Sequence, residues 1–175
     1  MSQSRQGITC SPETRRKMRL AALGRKHSAE TCAKMSVAYK LRWQDPEYRD
    51  RTIRATLKGS HNRPTVAERG MQSILDGNFP GEWKYVGNGE VIIGGKNPDF
   101  INVNGRKAVV EVFGDYWHSE EVIGIPTEQH VAERVAHFAK FGFACLIFWE
   151  RELKDADMIA AKIREDTTTA KEMLC

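Results

Sequence analysis

Asp99, Glu111 and His118 are the residues whose types and spacing could do chemistry, and the chain between them is mostly apolar. Asp99 follows Pro98 in a short extended run, Pro98-Asp99-Phe100-Ile101. Asn104-Gly105 then reads as a hairpin turn, because both central positions of a type I′ turn need positive φ. Lys107-Ala108-Val109-Val110-Glu111-Val112-Phe113 reads as a strand of the buried kind. Asp and Glu form strands poorly and are costly to bury, so the fold alone would not ask for either acid here. Across a hairpin turning at 104–105 the two carboxylates come close. They repel unless a proton or a cation sits between them. A hard divalent cation with oxygen ligands, Mg²⁺ or Mn²⁺, is the natural partner. His118 ends the stretch, and an imidazole with a near-neutral pKa suits a general base. The plain alternatives are that Glu111 pairs with Lys107 or Arg106, that Asp99 caps a turn, and that His118 is a surface residue at a strand end.

The elements that must position these residues follow from pattern. Thr65-Val66-Ala67-Glu68 is a capping box opening a helix to about Leu75, with Val66, Met71, Ile74 and Leu75 as its core face. Trp83 to Val86 and Glu90 to Ile93 read as short strands around Gly87-Asn88-Gly89. A helix is expected from Glu128 to Phe141, capped by Thr127. It would pack Val131, Val135, Phe138 and Phe141 on the sheet and turn His130, Glu133, Arg134 and His137 the other way. Phe143 to Trp149 is a buried strand, and Asp155 to Met173 a last helix with Met158, Ile159 and Ile163 inward. Trp117 and Trp149 are expected in the core, although Tyr116 and Trp117 could also stack on bases.

The first third of the chain has a different character. Residues 1–64 hold 15 Lys and Arg against 5 Asp and Glu, and the remainder 12 against 18, so a segment of charge +10 precedes one of −6. Ser11-x-Glu13-Thr14-x-x-Lys17-Met18-x-x-Ala21 recurs 17 residues later as Ser28-x-Glu30-Thr31-x-x-Lys34-Met35-x-x-Ala38. Each copy begins a short helix, with Ser at the N-cap and an acid in the first turn. Asp45-Pro46 opens a third helix with Tyr48, Ile53 and Leu57 as its stripe. Such helices are too short and polar to form a core of their own, and they suit a partner surface. A basic arm beside an acidic segment fits nucleic acid: cations for phosphates, carboxylates for a metal. Arg15, Arg16, Lys17, Arg25, Lys26, Lys34, Lys40 and Arg42 are the candidate phosphate contacts. A helical hairpin used for oligomerisation is the plain alternative.

Pro98-Asp99 followed by Glu111 resembles the PD-(D/E)XK nuclease pattern. The closer likeness is to the very-short-patch (Vsr-like) mismatch-repair endonuclease and the homing endonucleases with an EDxHD-type site. It rests on the Pro98-Asp99 strand, the apolar strand ending in Gly114-Asp115-Tyr116-Trp117-His118, and the stretch Phe141-Gly142-Phe143-Ala144-Cys145-Leu146-Ile147-Phe148-Trp149-Glu150, and it covers roughly residues 65–155. The basic repeat resembles the nuclease-associated modular domain of the third type, which is attached to homing endonucleases. The resemblance implies a restriction-endonuclease-like α/β core, ordered helix, three strands, helix, strand, helix, preceded by short basic helical repeats. It implies Asp99 and the backbone carbonyl of Val112 as metal ligands, Glu111 as a second ligand or a carboxylate orienting the attacking water, and Glu68 as a helix glutamate reaching the metal. Asp115 could also reach it. Phe113 stands where the pattern has its lysine, which leaves that chemistry to His118. The final acid has no aspartate in its usual place. His130 and Glu133 are on offer there, and the plain reading of both is helix surface.

Other classes are less well served. No apolar run approaches the ~20 residues that span a bilayer, and Met1 to Gly7 has no secretory h-region. Cys10, Cys32, Cys145 and Cys175 are scattered, which gives neither a zinc knuckle nor a disulfide framework. The glycines match neither a phosphate-binding loop nor a dinucleotide fingerprint. The expectation is therefore a tail at 1–9, a DNA-binding arm at 10–59, a linker at 60–64 and a nuclease core at 65–175. The protein would be a metal-dependent endonuclease of the homing kind, acting on double-stranded DNA in the cytoplasm of a host cell, encoded by the host or a phage, as a monomer or dimer. The alternatives are a DNA-binding protein without catalysis on the same fold, and a mismatch-repair or RNA-processing nuclease.

Overall fold

A computed structural model describes residues 10–59 and 63–172. The expected tail, residues 60–62 of the expected linker, and residues 173–175 lie outside that range. Backbone contacts divide the chain into two units between Trp43 and Gln44. Among the described residues no helix is long and apolar enough to cross a membrane.

The first unit holds α1 (Pro12–Ala22) and α2 (Ala29–Trp43). The sequence repeat is a structural repeat. Ser11 Oγ accepts from the Thr14 N–H at 3.2 Å and meets Thr14 Oγ1 at 2.9 Å, and Ser28 does the same to Thr31 at the same distances. Glu13–Lys17 and Glu30–Lys34 are ion pairs one helical turn apart, at 2.9 and 2.6 Å. Neither helix buries a residue, and Met18, Leu20, Met35, Tyr39 and Leu41 are exposed. Caps and local pairs hold these helices, with no core beneath them.

The third helix, α3 (Pro46–Gly59), groups with the second unit and not with the repeats, which shortens the expected arm. The reason is contact with the loop after the first strand. Arg54 Nη1 donates to the carbonyls of Gly89 and Glu90 at 3.0 and 2.8 Å. Gly89 has φ +86°, and a Cβ there would lie 2.9 Å from Leu57.

The rest of the second unit is a mixed α/β sandwich. It runs α4 (Val66–Asn78), β1 (Trp83–Tyr85), β2 (Phe100–Asn102), β3 (Ala108–Phe113), a short α5 (Glu120–Ile123), α6 (Thr127–Ala139), β4 (Ala144–Trp149), a 3-10 turn (Glu150–Lys154) and α7 (Ala156–Glu172). The sheet order is β1-β2-β3-β4, antiparallel except for β3 with β4, which α6 joins as a parallel crossover. The expected order of helix, three strands, helix, strand, helix is present. Glu90 to Ile93 is not a strand: Asn97 Nδ2 donates to the carbonyls of Val86 and Val91, at 2.7 and 2.8 Å, and pins the segment as a loop. The hairpin loop is wider than two residues, since Asn102 Oδ1 accepts from the N–H groups of Asn104 and Arg106. Pro126, not Thr127, stands at the N-cap of α6.

Strand β3 is the centre, with every residue buried. Its even positions Ala108, Val110 and Val112 join Met71, Leu75, Phe100, Phe148, Ile159 and Ile163 in the core under α4 and α7. Val109 faces the other way, into a smaller core with Ile93 and Phe138 under α6. The inward stripe of α6 is Val131, Arg134 and Phe138, whereas Val135 and Phe141 are exposed. Arg134 thus sits on the face where the helical period calls for apolar residues.

Phe138 is the fully buried anchor of α6. Phe138→Ala should destabilise the fold by about 3–5 kcal/mol, read from the denaturant midpoint. A cost near zero would mean that α6 is held by something else.

Candidate active site

Phe100 pairs with Val110 in the β2–β3 ladder, which sets Asp99 opposite Glu111. The two acids lie on the same sheet face, as the chemistry requires. Asp99 Oδ2 accepts the Val112 N–H at 2.7 Å, and Oδ1 has no hydrogen-bond partner among the described residues. In an extended strand a residue's N–H and C=O leave on the same side, so the Val112 carbonyl faces the edge where Asp99 sits.

Glu111 is 3% exposed. It pairs with neither Lys107 nor Arg106. Arg106 instead meets Asp166 at 2.9 Å. Arg134 Nη2 donates to both Glu111 oxygens, at 2.8 and 2.7 Å, and to the Asn97 carbonyl at 3.3 Å. Glu111 is therefore held through both oxygens by a cation of the chain.

The electrostatics follow. Burial and the neighbouring Glu111 and Glu68 charges raise the Asp99 carboxyl well above its ordinary range, against the opposing pull of the Val112 N–H and Arg134. Burial raises Glu111 as well, outweighing Arg134 and Lys96. Burial lowers the Lys96 ammonium, with Arg134 adding to the effect.

Glu68 takes the capping-box role anticipated for it. Its Oε2 accepts the Thr65 N–H at 2.6 Å and completes the capping box. The same oxygen meets the Tyr85 hydroxyl at 3.4 Å. Burial and the charges of Glu68 and Asp99 raise the Tyr85 hydroxyl. Glu68 also lines a cavity of about 340 Å³ with Val112, Gly114, Trp117, His118 and Glu150.

The chain turns sharply after β3, with the His118 N–H donating to the Gly114 carbonyl. The turn folds the imidazole of His118 back onto the ring of Phe113, centroids 3.8 Å apart and planes 7° apart. His118 Nδ1 lies 3.0 Å from His130 Nε2. Burial, His130 and Arg134 lower His118 to about 4, below the near-neutral value expected of it, so the ring is neutral near pH 7 and a weaker base than a free imidazole.

The structure brings Asp99, Glu111, Glu68, Val112, His118 and His130 to one end of the sheet. It does not bring Asp115, which turns to Arg151. Nor does it bring Glu133, which accepts from Gln129 at 2.8 Å on the exposed side of α6. Trp117 is 71% exposed, not core, because it sits in the turn after β3. Sequence reasoning missed Arg134 as the partner of Glu111. The signal was there: Arg134 stands three residues after Val131 and four before Phe138, on the helix's inward stripe. It also missed Glu150, which directly follows the last strand. In the first unit Arg15, Arg16, Lys17, Arg25, Lys26, Lys34, Lys40 and Arg42 are all exposed.

Among the described residues no group of three or more His, Cys, Asp and Glu is placed to hold a metal ion. The donors present still fit a hard divalent cation. Asp99 is a carboxylate destabilised in its charged form with one oxygen unpartnered, and a backbone carbonyl faces the same edge. Mg²⁺ is usually bound by one or two carboxylates, with water and substrate phosphates completing the shell.

Residues 24–40 match the NUMOD3 motif, a nuclease-associated modular domain, and span the second copy of the repeat. The motif points to a nuclease. The chain is also similar to the catalytic domain of the homing endonuclease I-Bth0305I, at 24% identity over 60% of this chain and 96% of that domain, with a TM-score of 0.44. No curated protein matches the chain.

Arg134→Leu would leave Glu111 buried and unpaired, a loss of about 3–5 kcal/mol at neutral pH. The double variant Arg134→Leu/Glu111→Leu should recover most of it. Glu111 titrates above its unfolded value in the folded chain, so its contribution to stability is full below the unfolded pKa and is lost as pH rises through the folded one. Removing Arg134 raises the folded value further, so the deficit of the single variant should narrow as pH falls toward the ordinary carboxylate range. Unfolding curves showing the same deficit at neutral and mildly acidic pH would count against the ion pair.

Proposed function

We propose that the protein is a metal-dependent DNA endonuclease of the homing kind, with a Vsr-like site in the second unit and the basic repeats as its DNA-binding arm. The observation that carries this reading is Asp99. A carboxylate set opposite a second acid, with its charged form disfavoured and one oxygen unpartnered, is suited to a cation, and a cavity lined by His118 adjoins it. The NUMOD3 motif supports nucleic acid as the substrate class.

In this reading Asp99 and the Val112 carbonyl hold Mg²⁺ or Mn²⁺. The cation supplies charge neutralisation and polarisation of the scissile phosphate. The chain's own residues do the rest. His118, neutral and with Nδ1 engaged by His130, keeps Nε2 for the proton of an attacking water. Arg134 locks Glu111 in place beside Asp99. Glu68 adds negative charge from the other wall of the cavity. The exposed cations of α1 and α2 contact phosphates, which positions the substrate without reading sequence.

Asp99→Ala should abolish nicking of supercoiled plasmid in Mg²⁺ or Mn²⁺ and leave DNA affinity nearly intact. Retained nicking with lost binding would reverse the assignment of the two units. A chain that binds DNA but never nicks it would be the non-catalytic binder. Removing residues 1–43 should weaken binding and flatten its salt dependence, by about 0.9 in log–log slope for each phosphate that the arm neutralises. An unchanged slope would exclude the arm as the element that meets the phosphates.

A further inference from the structure

The position in the resembled pattern that calls for a final acid has none in this chain. The structure offers a different partner for the base. His118 Nδ1 and His130 Nε2 are 3.0 Å apart. Glu133 of the same helix accepts from Gln129, and the Arg134 guanidinium is committed to Glu111. Both rings are steadied by the same aromatic surface, His118 at 3.8 Å and His130 at 5.1 Å from the Phe113 centroid.

A neutral imidazole has one N–H donor and one lone-pair acceptor. A hydrogen bond between two neutral rings therefore holds one proton, and its position fixes the tautomer of both. If His118 Nδ1 carries it, His118 Nε2 presents a lone pair and can act as a base. If His130 Nε2 carries it, His118 Nε2 carries a hydrogen and cannot.

We propose that His130 is the positioning residue for His118: its Nε2 accepts the His118 Nδ1–H and so holds His118 in the tautomer whose Nε2 is a base. This rests on the nuclease reading for its catalytic consequence, though not for the hydrogen bond. During attack, His118 Nε2 takes a proton from water and the O–H electron pair stays on oxygen as hydroxide. The hydroxide forms the new bond to phosphorus. The broken P–O bond leaves its pair on the departing oxygen, which is protonated from solvent. The positive charge gained by His118 is met by the His130 lone pair, the part an acid would otherwise play. Burial and nearby Arg134 lower both rings, which keeps the resting pair neutral.

The test uses the full chain. Long-range ¹H–¹⁵N spectra of the imidazoles near neutral pH should show His118 as the single Nδ1–H tautomer. His130→Ala should give a tautomer mixture, lower kcat for nicking by about 10–100-fold, and leave KM, DNA affinity and the thermal midpoint unchanged. His130→Asp, which can accept the same N–H, should restore the single tautomer and most of kcat. An Nε2–H tautomer for His118 in the unsubstituted chain would overturn the proposal, as would a His130→Ala variant with unchanged tautomer and kcat. Absence of nicking by the unsubstituted chain would overturn the nuclease reading instead. The tautomer spectra would then decide the histidine pair alone.

Discussion

Glu111 is a carboxylate in the middle of a strand with no exposed residue, and its burial rests on one guanidinium. An unpaired ion there would cost several kcal/mol. The ion pair constrains where α6 lies, since the helix has to bring Arg134 over Glu111 on its otherwise apolar inward stripe. Phe138, one turn further along, seats the same helix in the core. The same placement brings His130 within reach of His118. One electrostatic requirement thus sets the position of the helix, and the position of the helix assembles the imidazole pair.

Asp99 differs from its neighbour in having no such cation of its own. Its one strong contact is a backbone N–H, which offsets only part of the burial and of the repulsion from Glu111 and Glu68. Two acids facing each other on one sheet face therefore have different fates, one paired with a guanidinium of the chain and one held by a backbone N–H alone. The division in charge along the sequence repeats this logic at larger scale. The acidic second unit carries the carboxylates, and the basic first unit is built from helices that need no core. Their serine caps and one-turn ion pairs are local, which is why the same eleven-residue pattern builds the same geometry twice.

What is legible in the sequence is what depends on near neighbours or on a strong period. The apolar run around Glu111 announces a buried strand, Pro98-Asp99 its partner, and the serine motifs two helix starts. What is not legible depends on tertiary choices. Glu90 to Ile93 has strand-like residues, but Asn97 takes the Val91 carbonyl, Arg54 the Glu90 carbonyl, and Ile93 pairs locally with Lys96. The third helix looks like more of the basic arm, and only its hydrogen bonds to the loop at Gly89 and Glu90 attach it to the other unit. Arg134 is expected outward because a cation is improbable on an apolar face. The rule fails here because the strand beneath carries an acid. Size alone argues for Trp117 in the core, but a turn after β3 leaves it in solvent.

The missing lysine and the histidine pair are one physical arrangement. Phe113 stands where the resembled pattern has its lysine, at the end of β3 on the face toward α6. Its ring is the surface on which His118 stacks. A lysine there would remove that surface. It would also add a second cation beside Arg134, whose charge already lowers both imidazoles. With phenylalanine the rings stay flat, close and neutral, a state in which one can accept a proton from water and the other can hold it in place. One ring thus comes from the turn after the strand and the other from the helix above. The strand contributes the apolar floor and Glu111, and its Val112 N–H holds Asp99 at the edge of the sheet.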